Sequence, residues 1–262
     1  MLLGSGGFEG SESRRHAHGT PGRAAWTMAP RGTNTGEPIS AAINAGAAVD
    51  WTGLGWFCPG LEHPDGAGSF TLGFRSGVMV DAHGLRYANE SLPYDRFGRE
   101  MAKDPARVPS WFVFDSREGG RLPGIAMPEG DPADHLAAGT WVEAESIAGG
   151  FCATGVDEDF GRGADEYDTF FTYGEGPNKA LTPIDQGPFF AARFVLSDLG
   201  TKGGVVTDAH GRALRPDGSA VPGLYAVGNT AAPMTGPYYP GPGAPLGTAM
   251  VFASLAVADL VG

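Results

Sequence analysis

Residues 1–10, MLLGSGGFEG, read as the end of a buried strand that runs straight into a glycine turn. A domain seldom begins in the middle of a core strand. The strand is therefore expected either at a sheet edge or with further polypeptide ahead of it. The far end of the chain is equally restrictive. Residues 236–250, GPYYPGPGAPLGTAM, hold too much Pro and Gly for a regular strand, and the apolar run VFASLAVADL follows at once. Proline fixes φ, so such a loop holds its groups in set directions. The helix behind it offers unpaired backbone N–H groups and the positive end of its dipole. That combination suits holding something electron-rich.

Between these ends the chain is punctuated by turns. Its 262 residues include 43 Gly and 21 Pro. The length allows one large domain or two small ones. A net charge of -12 argues against nucleic acid and against an anionic membrane surface as partners. The start lacks the basic region and apolar length of a signal peptide. No apolar run reaches the ~18 residues of a membrane-spanning helix, so no membrane span is expected. Cys58 and Cys152 lack metal-ligand spacing and are too few for a disulfide framework, so a cytoplasmic location is expected.

Residues 11–35 are polar and read as a surface loop. A close-packed helix follows in TGEPISAAINAGAAVDW, with Thr35 as N-cap and Pro38 in its first turn. Residues 53–69 read as a Gly/Pro loop. SFTLGFRSGVMVDAHGLRYANE predicts two strands about a turn at Asp81–Gly84. LPYDRFGREMAKDPA predicts a helix ended by Pro105, and VPSWFVFDS a short buried strand. LAAGTWVEAESIAGG and DEYDTFFTYGE are helix candidates. PFFAARFVLSDLG and the segment to Asn229 predict strands with tight turns, and residues 246–260 a final apolar helix. The tetrapeptide Asp-Ala-His-Gly occurs twice, which convergent use of a good turn explains better than an internal repeat.

Several chemical readings compete with plain structural ones. The glycines at 4, 6, 7 and 10 do not form the G-x-G-x-x-G fingerprint, and a simple turn explains them as well as a phosphate cradle does. His16 and His18 are too few ligands for a metal, so no metal site is expected. DEDFGRGADEYD lacks EF-hand spacing and reads as a solvated face or a set of helix caps. Neither cysteine has a catalytic partner nearby. Tyr94, Tyr238 and Tyr239 stand out by position, although a buried tyrosine is most often a core residue with one satisfied hydroxyl.

The stretches LLGSGGFEG, GLRYANESLPYDRFGREM, GVDEDFGRGADEYD, SDLGTKGGVVTDAHGRALRPDGSAVPGLYAVGN and YYPGPGAPLGTAMVFASLAVADLVG carry a resemblance over most of the chain. In this order they resemble the bacterial 3-ketosteroid Δ1-dehydrogenases, FAD enzymes of the fumarate-reductase-like flavoprotein superfamily. The resemblance implies FAD as cofactor and a 3-ketosteroid as substrate, with the electron acceptor left open. It implies that Tyr94 takes the C2 proton, and that the Tyr239 hydroxyl and the Gly243 N–H bond the C3 oxygen. Gly6, Gly7, Gly228, Asn229, Leu246 and Gly247 match flavin-contacting segments. The implied fold mixes α+β and α/β: a substrate-binding domain with an antiparallel sheet and helices, plus the C-terminal part of a Rossmann-like FAD-binding domain. Residues 1–12 and 196–262 would belong to the FAD domain and residues 30–195 to the substrate domain.

The chain also departs from that family. It supplies no dinucleotide fingerprint and no acidic ribose-binding residue. SIAGGFCATG bridges a place where a longer helical segment is usual, TGEP stands for TGDG, and Pro245 replaces a threonine. The chain alone is accordingly expected to bind FAD poorly. Two alternatives stay open: a non-catalytic fragment or degenerate paralogue that needs a separate FAD half, and another fumarate-reductase-like flavoprotein oxidoreductase.

Overall fold

A computed structural model describes the whole chain except residues 146–155, 173 and 175. The segment SIAGGFCATG and Cys152 lie outside the described residues. The fold is mixed α/β, with helices and largely antiparallel sheets. It divides into two compact units, Met1–Trp56 with Leu199–Gly262, and Phe57–Asp198. The units meet at 56/57 and 198/199.

In the first unit, strand Leu2–Leu3 runs parallel to Ala220–Ala226, which pairs antiparallel with Arg212–Leu214. A second small ladder joins Val49–Asp50 to Gly204–Val205. Phe8, Ile39, Ala42, Ala47, Val205 and Leu224 form the core between them. The polar segment after residue 10 is not all loop. Glu12–His18 is a helix capped by Ser11, and Arg15 is buried within it, donating to the carbonyls of Glu9 and Pro21. Arginine read as a surface signal here serves backbone acceptors instead. Helix Glu37–Asn44 is capped by Gly36 rather than Thr35, whose hydroxyl donates to the Glu37 carboxylate.

The final helix, Ala244–Val261, covers 18 residues at mean hydropathy 1.7. It is long and apolar enough for a membrane span by length and composition only, whereas no run of that length is expected from the sequence. Its inner side packs on the sheet through Ala256 and Phe252, beside Tyr225 and Val227. Asp259, near its end, is tied to the Arg212 guanidinium and accepts the Tyr225 hydroxyl at 2.6 Å. The other side leaves Leu246, Met250 and Val261 exposed.

The second unit is built on a sheet with Val78–Val80, Ser110–Asp115, Phe189–Thr201, Gly55–Glu62, Gly68–Leu72 and Ile125–Met127 in that order, and Trp141–Ala144 pairs with Phe189–Thr201. Its core is aromatic: Phe57, Phe74, Phe97, Phe112, Phe114, Phe194 and Trp141. The expected loop 53–69 contains the buried strand Gly55–Glu62. Its Gly-Pro content disguised it, but Gly60 is required, because a Cβ there would lie 2.5 Å from the Ser197 Cβ of the adjacent strand. LAAGTWVEA is a helix end and a strand, not one helix: Pro132–Ala138 stops at Gly139, whose φ is 72°, and Trp141–Ala144 follows. DEYDTFF yields a single turn, Glu166–Thr169.

The two Asp-Ala-His-Gly turns use one local device. Asp81 accepts from the N–H groups of His83 and Leu85, and Asp208 from those of His210 and Arg212. Each turn then ends on a glycine with positive φ. An Asx turn explains both without an ancestral repeat.

His135 is fully buried, stacks on Trp141 at 5.1 Å, faces the His63 ring at 5.2 Å and hydrogen-bonds Thr140 Oγ1 at 2.8 Å. Burial, then the neighbouring His63, lower its pKa; burial lowers that of His63 as well. The unfolded chain therefore takes up protons first as pH falls. The stability contributed is full above ~6.5, the ordinary histidine value, and is lost as pH drops through the folded values. We expect the urea midpoint to fall between pH 7.5 and 5.0. His135→Asn should start lower at pH 7.5 but fall less. An equal pH dependence in both proteins would show that His135 is not responsible.

Candidate functional site

The glycine turn at the start of the chain is crowded for a definite reason. Glu9 is buried beneath it and accepts from the Thr201 N–H and hydroxyl, each at 3.0 Å, and from Asn34 Nδ2 at 2.5 Å. A Cβ on Gly7 would sit 1.9 Å from Thr201 Oγ1, and one on Gly10 1.9 Å from the Thr33 carbonyl. Gly6, with φ of 87°, abuts the Asn34 side chain. These glycines let a buried carboxylate knit three segments together. The glycine spacing alone reads as a plain turn or a phosphate cradle, and the resemblance adds Gly6 and Gly7 as flavin contacts; neither reading contains this buried carboxylate.

Gly228 and Asn229 begin a short 3-10 turn, Gly228–Thr230, directly after strand Ala220–Ala226. The Thr230 hydroxyl donates to the Gly6 carbonyl at 2.8 Å, which joins this turn to the first. Asn229 Oδ1 accepts from Trp56 Nε1 at 2.9 Å. Trp56 is the center of a cluster that sequence reasoning missed. The Lys202 ammonium lies 4.2 Å from its ring centroid, a cation–π contact, and the Tyr239 ring meets it edge-on at 5.5 Å. Lys202 Nζ also donates to the Tyr238 carbonyl at 2.5 Å. The backbone between the two tyrosines is thus anchored from below. Tyr238 is left 71% exposed, while Tyr239 is half-buried against Trp56. Lys202 stands in the GTKGG stretch and is buried.

Gly243, with φ of 85°, starts the final helix, and no side chain caps that end. Its first turn contains no acidic residue, and Pro245 brings no N–H. A Cβ built on Gly241, Gly243 or Gly247 would meet nothing within 4 Å, so the backbone is open to a close approach there. Leu246 is exposed. A cleft of about 340 Å³ in the same unit is lined by Gly228, Val227, Trp51, Met234, Thr248 and Phe252, among others. Open glycine backbone, an uncapped helix start and a glycine-flanked sheet end fit a group with an electron-rich edge such as the flavin of FAD.

In the second unit Tyr94 is the first residue of helix Tyr94–Ala102, is buried, and packs edge-on to Phe70 at 4.8 Å. The helix rides directly on the strand below it. A Cβ on Gly98 would lie 2.6 Å from the Cys58 nitrogen, so only glycine permits that approach. Tyr87, also nearby in sequence, is unsuited to proton transfer. Burial pushes its phenol well above the ordinary value, and it is bonded to Ser110 Oγ at 2.7 Å. Cys58 is buried too, and burial, then Asp198, hold its thiol protonated. Among the described residues no group of three or more His, Cys, Asp or Glu side chains could hold a metal.

The acidic stretch 157–168 is solvated in part, with Glu158, Asp159 and Glu166 exposed. Asp157, Arg162 and Asp168 are buried, while Asp165 caps the turn that begins at Glu166, the expected use. Burial opposes ionisation of Asp157, but hydrogen bonds from Arg86 and from the Arg162 N–H outweigh it and bring its pKa to about 2.

A family described as "FAD binding domain" matches residues 1–246. The 3-oxosteroid 1-dehydrogenases of Mycolicibacterium smegmatis and Rhodococcus opacus are 37% and 39% identical to this chain; each comparison covers 99% of it and 52% or 56% of the relative. The solved 3-ketosteroid Δ1-dehydrogenase of Sterolibacterium denitrificans, in complex with 1,4-androstadiene-3,17-dione, is 28% identical and superposes with a TM-score of 0.88 over 99% of this chain and 52% of its own. The chain spans about half the length of the curated relatives it matches.

Proposed function

The chain belongs to the FAD-binding domain family, and on that premise we propose that it carries the substrate side of an FAD-dependent 1,2-dehydrogenation of 3-ketosteroids. The observation that carries this reading is the likeness, over nearly the whole chain, to a dehydrogenase solved with a steroid 1,4-diene. Phe57–Asp198 would supply the substrate domain, and the remaining unit the returning strands and last helix of the FAD domain. Gly6, Gly7, Gly228, Asn229, Leu246 and Gly247 would hold the flavin.

Each residue then has one task. Tyr94 removes the C2 proton, which builds negative charge on the C3 oxygen. The Tyr239 hydroxyl and the Gly243 N–H donate to that oxygen, as an oxyanion hole does. Both belong to a loop held by Pro240, Pro242 and the Lys202–Trp56 cluster, so they stay aimed without reorganisation. Bound FAD would supply the hydride acceptor for the hydrogen on C1. A tyrosine titrates near ~10, so Tyr94 must act as a phenolate or through a relay. The steroid skeleton is neutral, and the net charge of -12 has no bearing on it. A cytoplasmic location belongs to the same reading, and a chain with only two cysteines is in keeping with it.

A second reading, that catalysis requires a separate polypeptide bearing the FAD half, is favored by the apolar outer side of Ala244–Val261, where Leu246 and Met250 are each 73% exposed. Flavin titration of the chain, followed by incubation with 4-androstene-3,17-dione and an artificial electron acceptor, separates the two. Formation of the 1,4-diene by the flavin-loaded chain supports the first reading. Diene formed only after the amino-terminal half of a relative is added supports the second. Bound flavin with no diene in either setting overturns both.

A further inference from the structure

The GVDEDFGRG stretch is the most specific segment the proposed chemistry leaves without a task. Its arginine is an unusual residue to bury. The Arg162 side chain is 3% exposed and spends all three nitrogens on one region of the chain. Nε donates to Ser91 Oγ at 3.1 Å; Nη1 to the Gly77 carbonyl at 2.7 Å and Glu90 Oε2 at 3.2 Å; Nη2 to the Phe74 carbonyl at 3.2 Å. A cation taken from water needs compensation. Glu90 and Asp157 provide it, and a second arginine, Arg86, bridges the two carboxylates, so two cations face two anions.

The loop is shaped to aim this side chain. Asp157 accepts the Arg162 N–H at 3.0 Å and closes the loop on itself. Gly161 and Gly163 flank the arginine with φ of 66° and 88°, and a Cβ on Gly163 would strike the Asn178 amide at 2.0 Å. Asp168 extends the grip: its Oδ2 accepts from the Gly163 N–H at 2.8 Å and from Asn89 Nδ2 at 3.0 Å. Every one of these bonds to the 89–91 segment lands on the turn immediately before Tyr94. Helix Tyr94–Ala102 has Pro93 at its N-cap and no side-chain cap of its own. Its first residue is therefore oriented from behind, by the turn.

We infer that Arg162 is the positioning residue for Tyr94, holding the turn 89–93 so that the phenol at the helix start points in one direction. Asp168 acts with it through Asn89. The inference rests on the reading of Tyr94 as the proton-abstracting group, but its geometric part is measurable without that reading.

The test uses the full chain labelled with ring-13C tyrosine. Seven tyrosines are present, and Tyr94→Phe assigns the relevant signal. In Arg162→Gln, held well below its melting temperature, the Tyr94 signal should shift or split while that of Tyr225, in the other unit, stays in place. Arg162→Lys, which keeps the charge but cannot reach four acceptors, should fall between. Exchange of the C2 protons of 4-androstene-3,17-dione in deuterated buffer by the flavin-loaded protein should slow on the order of 10²-fold in Arg162→Gln, with steroid affinity unchanged. A folded Arg162→Gln with an unmoved Tyr94 signal overturns the inference; if that variant does not fold, an unmoved signal in Arg162→Lys does so. A wild-type protein that exchanges no C2 protons overturns the role of Tyr94 instead, and the tyrosine signal still decides whether the clamp exists.

Discussion

Tyr94→Phe, in an enzyme completed with the FAD half, should abolish turnover of 4-androstene-3,17-dione and leave steroid binding in place. The change deletes one oxygen from a ring that is buried and packed on Phe70. The ring contacts persist, so the helix start should keep its position. What is lost is the group that accepts the C2 proton. Removal of a general base costs ~10²–10⁴-fold in rate. No other tyrosine of the same stretch can take over, because burial raises the Tyr87 phenol and Ser110 holds it. Turnover and C2 proton exchange should fall together, and the dissociation constant measured by steroid titration should change little. C2 exchange at a near-normal rate in the variant would assign the base to another group.

Tyr239→Phe should cost ~10²–10³-fold, the usual loss when one of two donors to a developing oxyanion is removed. Tyr238→Phe should cost far less. The two side chains leave the loop toward different surroundings. Tyr238 is 71% exposed, and its backbone carbonyl is the part that is used, as an acceptor for Lys202. Tyr239 lies edge-on to Trp56, a ring itself held by Lys202 above its face and by Asn229 at its nitrogen. That support restricts where the Tyr239 hydroxyl points. Steady-state rates on 4-androstene-3,17-dione separate the two variants. A crippled Tyr238 variant beside a healthy Tyr239 variant would reverse the assignment of this loop.

The sequence by itself determined the elements whose signals are local. The strand before the glycine turn, the helix beginning at Tyr94, the buried strand Ser110–Asp115, the strand Phe189–Thr201 and the final helix all follow from apolar patterning, Pro and Gly. The Asx turns at Asp81 and Asp208 follow from side chains that bond their own backbone. The motifs also carried the family, because they keep both their residues and their order along the chain.

Tertiary structure decided the rest, since the signals there are not local. Strand Gly55–Glu62 reads as a loop until Ser197 is seen beside Gly60, where no side chain fits. Arg15, Arg162 and Lys202 carry the charge of surface residues, yet each is buried where backbone carbonyls, a carboxylate or an aromatic ring compensate it. Those partners lie far along the chain: Phe74 is 88 positions from Arg162, and Trp56 stands farther still from Lys202. A carboxylate such as Glu9 or Asp157 likewise reads as solvated until its donors are in place. Burial of charge depends on partners that only folding assembles, and no window of sequence contains them.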